Sequence, residues 1–482
     1  MALVILLCAQ LMVILDATVV NIALPEIQHG LHFSATSLSW VMNGYTLTFG
    51  GLLLLGGRAG DILGRRRMFL IGVGLFTLAS LAGGLATSAG LLLAARALQG
   101  VGGALASPAV LALIVGSFSE GRERTRALAI YTGVITGGAS LGLVLGGVIT
   151  EWLSWRWVLF INVPIGLIAL AAAPRYVAET PRQPGRFDVA GALTSTLGMV
   201  SLVYAFIRAA ASGWGDEVAI GAFAAAAVLL AAFLVTESRA RQPITPLRLF
   251  ADASRSGSYV ARLLLVAGMF GMFYFLTQFL QDILGFSPLR AGIAFLPMTI
   301  MLFGVSRVVP RLMGLVRPKT LMVVGMVPVI IGMAWLSRVS PGTGYWTGVI
   351  GPMVLLGAGM GTVFVPLTTA SLAGVRPEDS GAASSMVNVM QQVGGALGLA
   401  VLVAVFGTSF HDAARHPLAG VAPALQARDA LAHGMSTAFL LAAILDAVAL
   451  IVMATLIRVR APMAPPPRPT GPAEAEEEAL AL

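Results

Sequence analysis

LMVILDATVVNIALP, residues 11–25, places one carboxylate, Asp16, in a run otherwise suited to the middle of a lipid bilayer. Nearly everything from Ala2 to Ala23 would dissolve in hydrocarbon. An ionisable group inside a spanning helix is rare, and it usually faces a water-filled cavity or a charged partner. The stretch therefore sets two expectations: a helix that crosses a membrane, and a buried acid with work to do.

The rest of the chain extends that reading. Of its 482 residues 57% are hydrophobic and only 11% charged, and the mean hydropathy is +0.88. Its apolar runs are about 20 residues long, enough to cross a hydrocarbon core of about 30 Å. The short alternating strands of a membrane barrel are absent from the pattern. Fourteen runs qualify, the first over 2–24 and the last over 434–457. Among 30 basic residues, 29 are arginine. With the N-terminus inside, 22 of the 30 fall on the cytoplasmic side and six outside; Arg96 and Arg262 lie at or within helices. The positive-inside rule then predicts an even number of spans with both termini cytoplasmic. In a soluble protein a net charge of +8 would suggest nucleic acid; topology accounts for it here. Cys8 is the only cysteine, so neither an intramolecular disulfide nor a cysteine-based metal site is expected. The first apolar run is too long for a cleavable signal peptide and has no basic flank. The chain starts almost inside it, which leaves room for a segment upstream of Met1.

A weak internal echo divides the chain. LHFSATSLSWV (31–41) follows span 1, and LGFSPLRAGIA (284–294) follows span 9. The economical division is an N-terminal six-helix half over 1–174, two inserted helices with a basic linker over 175–256, a C-terminal six-helix half over 257–457, and a disordered Pro-rich, acidic cytoplasmic tail over 458–482. Parallel repeats of this kind build a substrate site near the midplane between the halves.

Three motifs carry the chemistry. GGRAGDILGRRRMF (56–69) joins spans 2 and 3. Gly57, Gly60 and Gly64 permit close approach of two helix ends, and Asp61 is spaced to pair with Arg65, which makes the five a candidate conformational-switch loop. RALQGVGGALASPA (96–109) puts Arg96 and Gln99 in span 4; Arg96 either snorkels to the surface or meets Asp16, which lies at similar depth. GVITGGASLGLVLGGVI (133–149) aligns Gly138, Gly142 and Gly146 on one helix face with Gly147 beside them, a spacing for tight packing or for a hinge. Asp446, in span 14, is the other acid deep in a helix and, with Asp16 and Arg96, a candidate for proton coupling. Asn21, Gln99, Tyr274 and Gln278 are candidates for the substrate cavity. His411, His416 and His433 fall in the expected loop between spans 13 and 14, without metal-like spacing.

These stretches resemble the fourteen-span drug:proton antiporters of the major facilitator superfamily. LDATVVNIALP is similar to that branch's span-1 signature, GGRAGDILGRRRMF to the superfamily's loop 2–3 motif and RALQGVGG to its span-4 motif. WRWVLFINVPIG (155–166), QDILGFSPLRAGIAFLP (281–297) and NVMQQVGGALG (388–398) complete the match. The resemblance implies an all-α major facilitator fold with 14 transmembrane helices (6 + 2 + 6) in the cell membrane. It implies a monomeric antiporter that exchanges protons for small hydrophobic or cationic drugs, dyes or antibiotics, and confers antibiotic resistance. No cofactor or metal is implied. Two departures stand out: Leu143 follows Gly142 where the antiporter motif has proline, and Arg311 answers to Asp61 in the second-half loop. An exporter of one specific metabolite and a receptor that has lost transport stay open as alternatives. An enzyme is disfavoured, since no phosphate-binding GxxxxGK[ST] loop and no nucleophile–base set occurs. For Asp16 the reading leaves two roles open: a proton carrier, or a fixed partner of Arg96 or Asn21.

Overall fold

A computed structural model describes residues 1–118, 122–180, 182, 187–240, 245, 247–375, 380–416 and 422–458. Its helices are α1 (Ala2–Leu31), α2 (Trp40–Leu63), α3 (Arg65–Gly84), α4 (Ala89–Ser117), α5 (Arg122–Trp152) and α6 (Trp157–Tyr176, broken at Ile161). The peripheral pair follows, α7 (Val189–Ser212) and α8 (Glu217–Arg239). The second set is α9 (Ala253–Gln278, continued by a π-turn over Phe279–Ile283), α10 (Pro288–Leu312, broken at Phe295), α11 (Pro318–Leu336), α12 (Tyr345–Leu372, broken at Val349), α13 (Ser380–Arg415) and α14 (Pro423–Leu456). A chain without water must satisfy its backbone internally, so helices are the form these apolar runs take. Among the described residues, thirteen are long and apolar enough to cross a membrane. In α5 only Leu141–Trp152 registers as an apolar helix by that measure.

Local chemistry sets the helix starts. Ser88, Asp188, Asp216 and Asp252 cap α4, α7, α8 and α9 by accepting a backbone N–H with their side chains. The sequence echo has a physical counterpart: Ser34 Oγ accepts the Ser37 N–H (3.1 Å), and Ser287 Oγ accepts the Arg290 N–H (3.4 Å). Two sequence expectations are corrected. The first helix does not stop near residue 24 but runs through Pro25 to Leu31. His411 and His433 are not in a loop, because α13 reaches Arg415 and α14 begins at Pro423. Apolar run length senses the hydrocarbon, whereas these helices continue past it. Of the expected tail, all but Arg458 lies outside the described residues.

Glycines set the closest contacts. A Cβ on Gly56 would lie 2.1 Å from the Ala104 carbonyl oxygen, and one on Gly100 would lie 1.9 Å from Thr48 Oγ1, so α2 and α4 touch backbone to backbone. Gly138, Gly142 and Gly146 of α5 face Leu11, Thr18 and Val19 of α1. The device recurs where Gly394 and Gly398 of α13 face Leu263 and Ala267 of α9.

The two six-helix sets meet in a seam at the end of the bundle opposite the arginine-rich loops. There Asn21 Nδ2 donates to Thr277 Oγ1 (2.9 Å) and to the Phe273 carbonyl (3.3 Å). Gln281 Nε2 donates to the Ile22 carbonyl (2.9 Å), Tyr274 Oη to the Ala35 carbonyl (3.2 Å), and the Leu289 N–H to Glu151 Oε2 (3.0 Å). Gly147 lies against Leu289 and Gly292 against the Leu143 carbonyl, which brings α5 and α10 together.

Candidate functional site

Asp16 and Arg96 meet. Arg96 Nη1 donates to Asp16 Oδ2, and both side chains are sealed from solvent. Around them the first six helices supply a shell. Gln99 Nε2 (α4) and Asn162 Nδ2 (α6) each donate to Asp16 Oδ1 at 2.9 Å. Gln99 Nε2 also reaches Ser80 Oγ of α3 at 2.8 Å, while Gln99 Oε1 accepts from Arg96 Nη1 at 2.9 Å. From α2, the Val41 carbonyl accepts Arg96 Nε (3.0 Å), and the Tyr45 ring lies 4.5 Å beneath the guanidinium. The pair thus has charge-assisted bonds on several sides. Snorkelling is excluded: Arg96 is 0% exposed.

The shell turns inward, toward the axis of the first six helices. Asn21, five residues after Asp16, is on another side of α1 and enters the seam instead. Gln99, expected in the substrate cavity, belongs to the Asp16 cluster. Tyr274 and Gln278 are buried at the seam, with Gln278 Nε2 donating to the Tyr274 carbonyl at 3.3 Å.

In the loop between α2 and α3, Arg65 binds Asp61 through Nε (3.2 Å) and Nη2 (3.1 Å). Gly64 has φ +106°, a backbone form that L side chains rarely adopt, and it turns the chain sharply between the two helices. Gly57 lies near Pro108 of α4, and Gly60 near Arg65. Glu179, just past α6, accepts the backbone N–H groups of Arg66 (2.9 Å) and Arg67 (3.2 Å) at the start of α3.

Asp446 of α14 is fully buried, and neither of its carboxyl oxygens has a hydrogen-bond partner among the described residues. It faces α9: a Cβ on Gly268 would come within 3.2 Å of both oxygens. Asp446 is thus far from the Asp16 shell in its chemistry as well as in its helix.

Sequence reasoning missed four of these partners. Asn162 sits inside the WRWVLFINVPIG stretch but was masked by its apolar neighbours. Glu179, Ser80 and Tyr45 carry no local signal for their roles.

The stretches that supply the Asp16–Arg96 pair and the Asp61–Arg65 loop fall within one family match. Residues 6–399 match the Major Facilitator Superfamily. The chain belongs to that superfamily. It is 44% identical over 443 residues to the puromycin resistance protein pur8 of Streptomyces alboniger, covering 90% of this chain and 87% of that one. It is 43% identical over 412 residues to the cephamycin export protein CmcT of Amycolatopsis lactamdurans, covering 84% and 85%. Among solved structures it resembles an auto-inhibited POT family peptide transporter, with a TM-score of 0.66 at 15% identity over 96% of this chain and 99% of that one. That likeness concerns the fold alone. The superfamily member described here is a multi-pass membrane transporter.

Proposed function

We propose that this major facilitator protein exports small hydrophobic or cationic compounds, such as drugs, dyes or antibiotics, in exchange for protons. On this reading all fourteen helices span the cell membrane, α5 being the fourteenth, and both termini are cytoplasmic. The arrangement is six helices, two inserted helices and six more, acting as a monomer. The observation that carries proton exchange is Asp446, a buried carboxyl with neither oxygen bonded among the described residues. An acid without a counter-charge in a spanning helix is a natural proton acceptor. Asp16 is the second acceptor, but a proton there must displace Arg96 from Asp16 Oδ2. In the same reading the Asp61–Arg65 loop governs the conformational switch, and the α5 glycines set its hinge.

Relatives named for puromycin resistance and for cephamycin export support drug extrusion. Because these names each specify a single antibiotic or class, they also favour a narrower form of the proposal, export of one specific metabolite.

The deciding experiment is efflux from proteoliposomes, with ethidium inside and a pH step imposed across the membrane. Gradient-driven efflux that collapses with a protonophore is the expected result. Efflux indifferent to the gradient would remove the exchange mechanism. No movement of ethidium or of any compound in an antibiotic panel would remove the exporter reading.

A further inference from the structure

Along α9, Arg255, Tyr259 and Arg262 follow one another at four and three residues, on one helix face. Arg262 is 3% exposed. Its Nη2 donates to Thr368 Oγ1 of α12 at 2.5 Å, and its guanidinium lies 5.7 Å from the Phe364 ring centroid. Its Nε has no partner among the described residues, and none of the ion pairs found there includes it. Arg262 is therefore a buried cation whose hydrogen-bonding fork is only half used.

Its face of α9 is the one that meets the other six-helix set. Phe273, three helical turns further on, and Thr277 take the Asn21 hydrogen bonds. In the other direction Tyr259 clusters with Met386 and Val387, and Leu54 of α2 packs against that cluster. Arg262 lies between these two meeting points, on the face of α9 that carries both, with its guanidinium packed against Thr368 and Phe364 of α12. On α1, Gln10 stands eleven residues before Asn21, as Arg262 stands eleven before Phe273; Gln10 Oε1 accepts a hydrogen bond from Ser107 Oγ (3.2 Å). Gln10 and Arg262 thus occupy corresponding positions on α1 and α9, each bonded to a helix of its own set.

The geometry points to Arg262 as the anion anchor of the transport site: it takes the carboxylate of an exported amphipathic compound. The free Nε and an adjacent N–H form the planar fork that grips a carboxylate through two bonds. Thr368 and Phe364 hold the guanidinium in place, and Met269 and Phe273, partly exposed on the same face, supply an adaptable apolar surface for the rest of the molecule. This rests on the exporter reading and extends its substrate class from apolar and cationic compounds to organic acids.

The test compares two probes that differ only in charge, pyrenebutyrate and its uncharged methyl ester. Binding to the purified full-length protein in phosphatidylcholine vesicles is followed by pyrene fluorescence, with no anionic lipid to compete. The wild-type protein is expected to bind the carboxylate at least about tenfold more tightly than the ester, the scale of a charge-assisted hydrogen bond. In Arg262→Gln that ratio falls to about one, and Arg262→Lys, which keeps charge but loses the fork, recovers only part of it. Equal wild-type affinities for acid and ester would overturn the proposal, even if Arg262→Gln does not fold. So would a full acid preference persisting in Arg262→Gln. Efflux of ethidium and of the antibiotic panel by the wild-type protein is scored separately: if any of these compounds moves while the acid preference is missing, only the anion anchor fails; if none moves, the exporter reading fails.

Discussion

In the first six helices the buried charges are paired: Asp16 accepts from Arg96, Gln99 and Asn162. Around α9 they are kept apart. Arg262 faces Thr368 and Phe364, while Asp446 approaches from the Gly268 side with both oxygens unbonded. The contrast separates two uses of intramembrane charge. A neutralised, hydrogen-bonded pair ties helices together, and disturbing it exposes an uncompensated ion. An isolated buried charge ties nothing and responds to whatever arrives, be it a proton or a ligand. The first set reads as the rigid partner and the second as the responsive one.

The greatest damage should come from breaking the pair. Asp16→Asn leaves Arg96 buried without its counter-charge and is expected to destabilise the protein by roughly 3–5 kcal/mol. Thermal unfolding and the yield of purified protein measure this. A variant as stable as wild type that had lost only gradient-driven efflux would reverse the contrast and make Asp16 the proton carrier.

Next in size is Leu143→Pro. Proline in a helix interior removes a backbone donor and costs about 3 kcal/mol unless the helix bends to absorb it. Because the Leu143 carbonyl lies against Gly292, a bend there is transmitted from α5 to α10. The protein should still fold, with altered turnover or proton leak in reconstituted vesicles. Unchanged transport would remove the hinge from the picture.

Asp61→Asn should matter less for stability, about 1 kcal/mol or below, since the Asp61 and Arg65 side chains are 31% and 26% exposed. Its effect belongs to rate: turnover falls strongly while substrate affinity stays within a few-fold. The second set has Arg311 at the corresponding place, so the reverse substitution Arg311→Asp offers a check on whether the asymmetry between the loops is needed.

Asp446→Asn is expected to change stability least, because no hydrogen bond or ion pair found among the described residues is lost. It should nevertheless abolish efflux driven by a pH step and spare exchange of labelled for unlabelled substrate. Loss of both would make Asp446 a structural group, and retention of both would return attention to Asp16.

Much of this arrangement was legible in the residues, and the exceptions have physical causes. Two intramembrane charges at similar depth, Asp16 and Arg96, announced their own meeting. Gly138, Gly142 and Gly146 announced a close helix contact, because four-residue spacing of small side chains has few other uses. Asp61 and Arg65 were one helical turn apart and paired. Asn162 was different: a single amide among apolar residues has no period and gains its role only when α6 packs beside α1. Arg262 was visible as a membrane arginine, but its half-used fork depends on Thr368, 106 residues away. Gln99 was assigned to the cavity because its polarity was apparent and its direction was not. The length of α1 beyond Pro25 and the helical setting of His411 were hidden for a simpler reason, since polar helix ends outside hydrocarbon look like loops.

The seam between the two helix sets has an implication for voltage. Among the described residues it includes five hydrogen bonds, from Asn21 to Thr277 and Phe273, Gln281 to Ile22, Tyr274 to Ala35, and Leu289 to Glu151. At a net 0.5–1.5 kcal/mol for each such bond, parting them requires roughly 3–8 kcal/mol. One elementary charge moving across 100 mV releases about 2.3 kcal/mol. The hydrogen-bonded part of this closure is thus comparable in strength to the work done by about one to three charges crossing 100 mV.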